Sequence, residues 1–242
     1  MLPTPFGFDL SGSSLMASGN FEEEEMQLFE TVLKDVSVCV DVGANIGLYA
    51  LLSERAGKYT IAVEPLLANQ QYLYRNLLHN NAKVEVFPVG LGKEPGLLVL
   101  YGGSTGASFV KNWAATSESW KTVVPVTTLD GLVSARFPGE PMLIKIDVEG
   151  FEYEVLQGAQ ATLHRSPKPM WLVEICLDEH FPGGINPKFQ QTFELFANCG
   201  YEARVADNTR RIVHPDDVVR WAAQKHADWG PHNYLFTAAP DK

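Results

Sequence analysis

The 242-residue chain is 45% hydrophobic and 20% charged, the balance of an ordinary globular protein with room for one well-buried α/β core and little for a second. Its net charge of −10 works against a nucleic-acid partner, which needs a basic face, and the longest basic run is Arg210-Arg211. The sequence has no window of about 18 apolar residues and no basic-then-apolar leader, so a cytoplasmic protein without membrane association is expected.

Residues 1–20 hold early Pro and Gly and then Ser-Gly-Ser-Ser, the texture of an irregular arm ahead of a domain over 21–242. From there strands and helices alternate, as in βαβ units around a parallel sheet. A helix is expected over 21–34, where Met26, Leu28, Phe29, Val32 and Leu33 follow Asn20 and four glutamates. The acids at 22–25 read as first-turn residues of an N-capped helix that balance its dipole rather than hold a metal. A strand through Cys39, a helix over 48–56, a strand over 59–64, a helix over 68–80 and a strand over 84–89 come next. Two short β-rich runs, 97–101 and 122–128, flank a Gly/Ser/Thr segment and predict an antiparallel excursion. Parallel wiring resumes with a strand over 142–147, a helix over 152–164, a strand over 171–175 and a helix over 189–198. Strands over 201–205 and 233–237 close the chain. Cys39, Cys176 and Cys199 have neither metal-ligand nor redox spacing and read as free thiols.

The segment Cys39-Val40-Asp41-Val42-Gly43-Ala44-Asn45-Ile46-Gly47 is a strand, a tight turn and a helix start. Such a turn lets backbone N–H groups approach a nucleotide-like ligand without Cβ interference. Glu64 ends the next strand, where a carboxylate accepts two hydrogen bonds from a ribose diol. The turn departs from the dinucleotide fingerprint, with Asn45 and Leu48 where the second and third glycines belong. Its form, Asp-x-Gly-x-x-x-Gly, is similar to that of S-adenosylmethionine (SAM)-dependent methyltransferases, in which the loop wraps the amino-acid end of SAM.

Further blocks sharpen the resemblance: Val63-Glu64-Pro65, Thr128-Leu129-Asp130, Ile144-Lys145-Ile146-Asp147-Val148-Glu149-Gly150 and Val173-Glu174-Ile175. Together they resemble the FkbM methyltransferases, class I enzymes that mostly methylate hydroxyls on small molecules and sugars. The resemblance implies an α/β fold: a single Rossmann-like class I methyltransferase domain with a mostly parallel seven-stranded sheet, helices on both faces and a final antiparallel strand. It implies SAM as cofactor, S-adenosylhomocysteine as product and a small-molecule hydroxyl acceptor. The implied cofactor-binding residues are Asp41, Gly43, Ala44, Asn45, Gly47, Glu64, Pro65, Gly90 and Asp147. Val89-Gly90-Leu91-Gly92 stands where the family commonly has a Ser-Asp or Ser-Asn pair, so contacts to adenine fall to the backbone or to neighbours. Asn-Pro-Pro-Tyr, the mark of enzymes that methylate exocyclic amines of nucleic acids, is absent.

In strand 142–147 and just beyond it, Lys145, Asp147 and Glu149 share one face by period-two geometry. A buried Lys needs a paired carboxylate, with Asp41, Asp130 and Glu149 as candidates. Asp147 faces the expected cofactor crevice, to orient the SAM ammonium or take a proton. Glu149 either caps the following helix or reaches the acceptor. His180 and His232 are the histidines placed to act as general bases, whereas His79 reads as a surface residue and His214 as a helix-start residue. The catalytic candidates are therefore Asp147, Glu149 and His180. Asp147 and Glu174 make a thin ligand set for Mg²⁺, and no metal site is assigned. Residues 208–232, with a short amphipathic helix and Trp229, either cover the acceptor or pack on the sheet.

Overall fold

Leu10 is fully buried, and Phe8, Met16 and Ala17 lie in the same apolar cluster, so the first twenty residues belong to the body of the molecule. In the computed structural model, which describes residues 1–228, 230 and 232–240, Leu2–Pro3 (β1) pairs antiparallel with Asp9–Leu10 (β2). Ser14–Ser18 forms α1, whose first turn is capped by the Ser13 side chain. Asn76 accepts from the Ser11 N–H (2.9 Å) and hydroxyl (2.7 Å), strapping the arm to the body. The expected irregular arm is corrected: two-residue strands and a five-residue helix are too short to leave a periodic signal.

Glu23–Leu33 (α2) precedes Val38–Val42 (β3), Leu48–Arg55 (α3), Tyr59–Val63 (β4), Leu67–His79 (α4) and Val84–Phe87 (β5). Gly90–Leu91 (β6), Gly96–Tyr101 (β7) and Lys121–Thr127 (β8) form a separate sheet of order β6-β8-β7, with β7 and β8 antiparallel as expected of the excursion. Leu129–Val133 (α5), Met142–Ile146 (β9), Glu152–Gln157 (α6), Gln160–Leu163 (α7), Met170–Glu174 (β10), Phe189–Asn198 (α8), Tyr201–Val205 (β11), Ile212–Val213 (β12), Pro215–Gln224 (α9) and Asn233–Ala238 (β13) complete the chain. The single helix expected over 152–164 is two. At Gly158 a Cβ would meet the Gly92 carbonyl oxygen at 2.1 Å, so the backbones pass too closely there for a side chain.

Among the described residues the main sheet runs β12-β11-β13-β10-β9-β3-β4-β5. The pairings β5-β4-β3-β9-β10 are parallel, and β13 lies antiparallel between β10 and β11. The sequence implied seven strands; the eighth is the two-residue β12, which pairs only with β11 at the edge. Alternation along β3 sends Val38, Val40 and Val42 into a core that includes α5 to α9, and Cys39 into one shared with the arm and α2 to α4. Sequence order reverses between β3 and β9, so a crevice opens at their C-terminal ends, the place where ligands bind in open α/β sheets.

Candidate active site

Gly43 opens the turn after β3 with φ 85°, and a Cβ there would lie 1.8 Å from the Asp147 carbonyl oxygen. The two central strands therefore touch backbone to backbone at their ends, which only glycine permits. The Gly43 and Ala44 N–H groups donate to the Val63 carbonyl at 2.9 and 3.0 Å. Asn45, at φ 52°, donates its N–H to Glu64 Oε2 at 2.9 Å, and Leu66 N–H donates to Oε1 at 2.8 Å. Burial drives the Glu64 carboxyl up to about 7 against these donors. The Asn45 Oδ1 atom is buried without a partner among the described residues.

This turn forms one wall of a cleft with about 1180 Å³ of non-protein space, its open mouth included. Ala44, Asn45, Glu64, Pro65 and Gly90 line it, together with Asp147 and Glu149. Asp41 and Gly47 do not. Asp41 lies beneath the turn, 1% exposed, where it accepts from the Ala50 N–H in the first turn of α3. Burial pushes its carboxyl up to about 6, and Oδ2 has no partner among the described residues. Gly47 begins α3 with φ 95°, packed on Leu73.

Lys145 stands beside Asp41 in the β3–β9 register, yet its ammonium goes elsewhere. Nζ lies 2.9 Å from Asp147 Oδ2 and 3.7 Å from Glu25 Oε1, and 4.4 Å above the Tyr49 ring. Asp130 instead accepts from the Ala161 and Thr162 N–H groups, both at 2.8 Å, and Glu149 accepts from a tryptophan. The expected partners of Lys145 are corrected accordingly: two residues along a strand place Asp147 on the same face, and α2 supplies the second acid. Burial opposes charge on both Lys145 and Asp147, but their attraction wins, holding the ammonium well above and the Asp147 carboxyl below their usual ranges. Asp147 also accepts a hydrogen bond from Glu174, whose carboxyl burial and neighbouring acids hold well above the usual range. That pair shares a proton rather than presenting two anions.

The four glutamates at 22–25 do more than balance a dipole. Residue 22 is the N-cap, in left-handed geometry with no side-chain cap, so the Asn20 cap is corrected. Glu25 is 4% exposed and, with Glu22, contacts the Tyr49 hydroxyl at 3.0 and 2.9 Å. A phenol has one proton to donate, so one of the two carboxyls brings a second, in keeping with the rise of both above the usual range through burial. Sequence reasoning passed over Glu25 although it sits on the apolar stripe with Phe29 and Val32, at i, i+4 and i+7. Glu22 lines the cleft with Phe21 and Met16.

Glu149 follows β9 at φ 58°, in a turn held from behind. Its carbonyl accepts from the Ser108 hydroxyl at 2.5 Å, and its Oε2 accepts from the Trp113 indole at 2.7 Å. Burial, then the Asp147 charge, push the carboxyl to about 7. The helix-start role that Glu149 was one candidate for belongs to Glu152, which accepts from the Val148 and Gly150 N–H groups at 3.3 and 3.0 Å. His180 is exposed and does not line the cleft; its ring packs edge-on against Trp113, 5.5 Å between centroids. His232 lies 3.4 Å from Glu179, also outside the cleft lining. His79 pairs with Asp9 at 2.8 Å, and His214 caps α9 in a box with Asp217. The 208–232 stretch packs on the sheet: Val218 and Trp221 of α9 are buried in the main core, and none of its described residues lines the cleft. Trp229 lies outside the described residues. Among the described residues no group of three or more His, Cys, Asp or Glu is placed to hold a metal ion, and no helix is long and apolar enough to cross a membrane.

The model of the Methyltransferase FkbM domain matches residues 41–203, from Asp41 before the turn to the middle of β11. The chain belongs to the FkbM methyltransferase family. No curated protein matches the sequence. Solved structures of similar shape include a precorrin-6y C5,15-methyltransferase from Geobacter metallireducens, 12% identical over 98% of this chain and 97% of that one, with a TM-score of 0.49. A precorrin 8w decarboxylase from Methanobacterium thermoautotrophicum is 13% identical over 99% and 100%, with a TM-score of 0.48. A putative RNA methyltransferase from Pyrococcus horikoshii is 13% identical over 96% and 93%, with a TM-score of 0.43.

This FkbM-family chain is a SAM-dependent methyltransferase. Its cleft fits that cofactor: the ionised Asp147 and the acceptor oxygens of Glu22, Glu64, Glu149 and Glu174 suit a cationic sulfonium and ammonium, and Lys145 is the one lysine among the described lining residues. Asn45 Oδ1, buried and without a partner among the described residues, is an acceptor suited to an ammonium.

Proposed function

We propose that the protein methylates a hydroxyl of a small molecule, sugar or natural product, with Glu149 accepting the hydroxyl proton and Asp147 orienting the SAM ammonium. Bound SAM supplies a methyl group on a good leaving sulfur, which leaves alignment and proton removal to the chain. The observation that carries the reading is Glu149 itself, a cleft-lining carboxyl held at about 7 with one oxygen fixed by Trp113. A base titrating near the working pH combines availability with driving force. Asp147, held ionised by Lys145, is a poor proton acceptor and a good partner for a cation. His180 and His232 stand outside the cleft lining and have no part in this scheme. The acidic walls and the overall charge of −10 favour neutral or cationic acceptors over nucleic acid.

Incubation with methyl-labelled SAM and a library of hydroxyl- and amine-bearing acceptors tests the proposal. The expected products are methyl ethers, with Glu149→Gln slowing their formation by about 10²–10⁴-fold. Methylated amines as the sole products, or SAM binding without turnover on any acceptor, would overturn it.

A further inference from the structure

Trp113 is 1% exposed, although it lies in a loop rich in small and polar residues between β7 and β8. Its surroundings explain that burial. The indole N–H donates to Glu149 Oε2 at 2.7 Å, and the ring fills the space that a side chain at Gly150 would need, where a Cβ would come within 2.4 Å of the ring. On its far side the ring packs edge-on against His180 and Phe181, with centroids 5.5 and 4.8 Å away. The next residue, Ala114, donates its N–H to the His180 carbonyl at 2.9 Å. Ser108, on the same excursion, donates its hydroxyl to the Glu149 carbonyl. Three segments distant in sequence thus meet on one side chain: the excursion, the 147–150 turn and the stretch after β10.

We propose that Trp113 is a positioning residue for methyl transfer: it fixes the Glu149 carboxylate by one oxygen and leaves the other for the acceptor hydroxyl. Among the described residues no hydrogen bond is made by Glu149 Oε1, so the indole fixes the carboxylate without using up its remaining acceptor. A carboxylate on a freely rotating side chain spends much of its time misaimed, and holding it in the reactive orientation is worth more than its mere presence. The indole does this without carrying charge, so the carboxylate remains a base. The proposal rests on Glu149 being that base, and it gives the otherwise unused His180 a place as packing behind the tryptophan.

The test compares Glu149→Gln with a chain carrying 3-benzothienylalanine at position 113, in which sulfur replaces the N–H and the ring shape is kept. Trp113→Phe serves as a second variant, with thermal unfolding and SAM affinity as controls. The sulfur analogue is expected to keep native SAM affinity and acceptor KM while kcat falls about tenfold or more, the scale of one hydrogen bond to a charged group. Loss of the donor also raises the Glu149 pKa, so the acid limb of the kcat profile moves to higher pH. A sulfur analogue with native kcat and an unmoved limb, beside an inactive Glu149→Gln, overturns the role of Trp113 and leaves the base assignment standing. Full turnover by Glu149→Gln overturns the base assignment and this inference with it.

Discussion

Gly43 and Asp147 approach so closely that a methyl group on residue 43 would lie 1.8 Å from the Asp147 carbonyl oxygen. This contact seats the glycine turn directly on the end of β9 and puts the loop and the carboxylates of the cleft in one place. Gly43→Ala adds a Cβ at φ 85° and forces the two strand ends apart. The left-handed backbone alone costs about 1–2 kcal/mol, and the clash adds to it. Calorimetry is expected to show SAM affinity reduced by about tenfold or more, with a lowered Tm. Native affinity in this variant would mean that the turn is not part of the cofactor site.

The contacts of Lys145 set a second expectation. Its side chain is 3% exposed, and its ammonium faces Asp147, Glu25 and the Tyr49 ring. Lys145→Met leaves buried carboxylates without their counter-charge, and removing one partner of such a set typically costs about 3–5 kcal/mol. Adding Glu25→Gln to Lys145→Met should recover part of that loss in denaturant unfolding. Additive losses in the double variant would show that the two residues are not coupled.

Glu64 receives the N–H groups of Asn45 and Leu66 and still lines the cleft. Glu64→Ala is expected to weaken SAM binding by about 1.5–3 kcal/mol, the range for a hydrogen bond to a charged group. Unchanged affinity by calorimetry would place the ribose elsewhere.

Stability should depend on pH in an unusual direction. Burial raises the carboxyls of Glu25 and Glu64 to about 7, Asp41 to about 6 and Glu152 to about 8, whereas in the unfolded chain they titrate near 4. Between about pH 4.5 and 8 the folded state therefore holds more protons than the unfolded one, and stability falls as pH rises through those values. Asp147, held below its usual range, acts in the opposite sense, but only below its unfolded value near 4. The Tm is expected to rise as pH is lowered from 8 to 5.5, each raised carboxyl adding about 1.4 kcal/mol of unfolding free energy per pH unit below its folded value. A flat or falling Tm over that window would show that these groups are not buried as described.

Much of this was legible in the sequence because it depends on local pattern. The glycine turn, the strand ending in Glu64 and the alternation of Lys145 with Asp147 follow from spacing and period-two geometry, and each stands at the mouth of the sheet. The antiparallel last strand was readable from the family resemblance, and it lies between β10 and β11. The residues missed are those whose role comes from distant segments. Glu25 meets Lys145 across 120 positions, and Trp113 meets Glu149 only because the excursion folds back over the turn. A glutamate at the start of a helix is usually solvated, so its place on the apolar stripe was outweighed by its charge. Two-residue strands in the arm carry no periodicity, and their order comes from Asn76 on α4 and Asn80 at its C-terminal cap.

The most direct measurement is a crystal structure of the protein with S-adenosylhomocysteine. The ligand is expected in the cleft, with its ribose against the Glu64 carboxylate, its amino-acid end against Asn45 and Asp147, and its sulfur facing the space beside Glu149. Density for the ligand at any other surface, or a cleft that stays empty at saturating ligand, would contradict the assignment of this cleft as the methyl-transfer site.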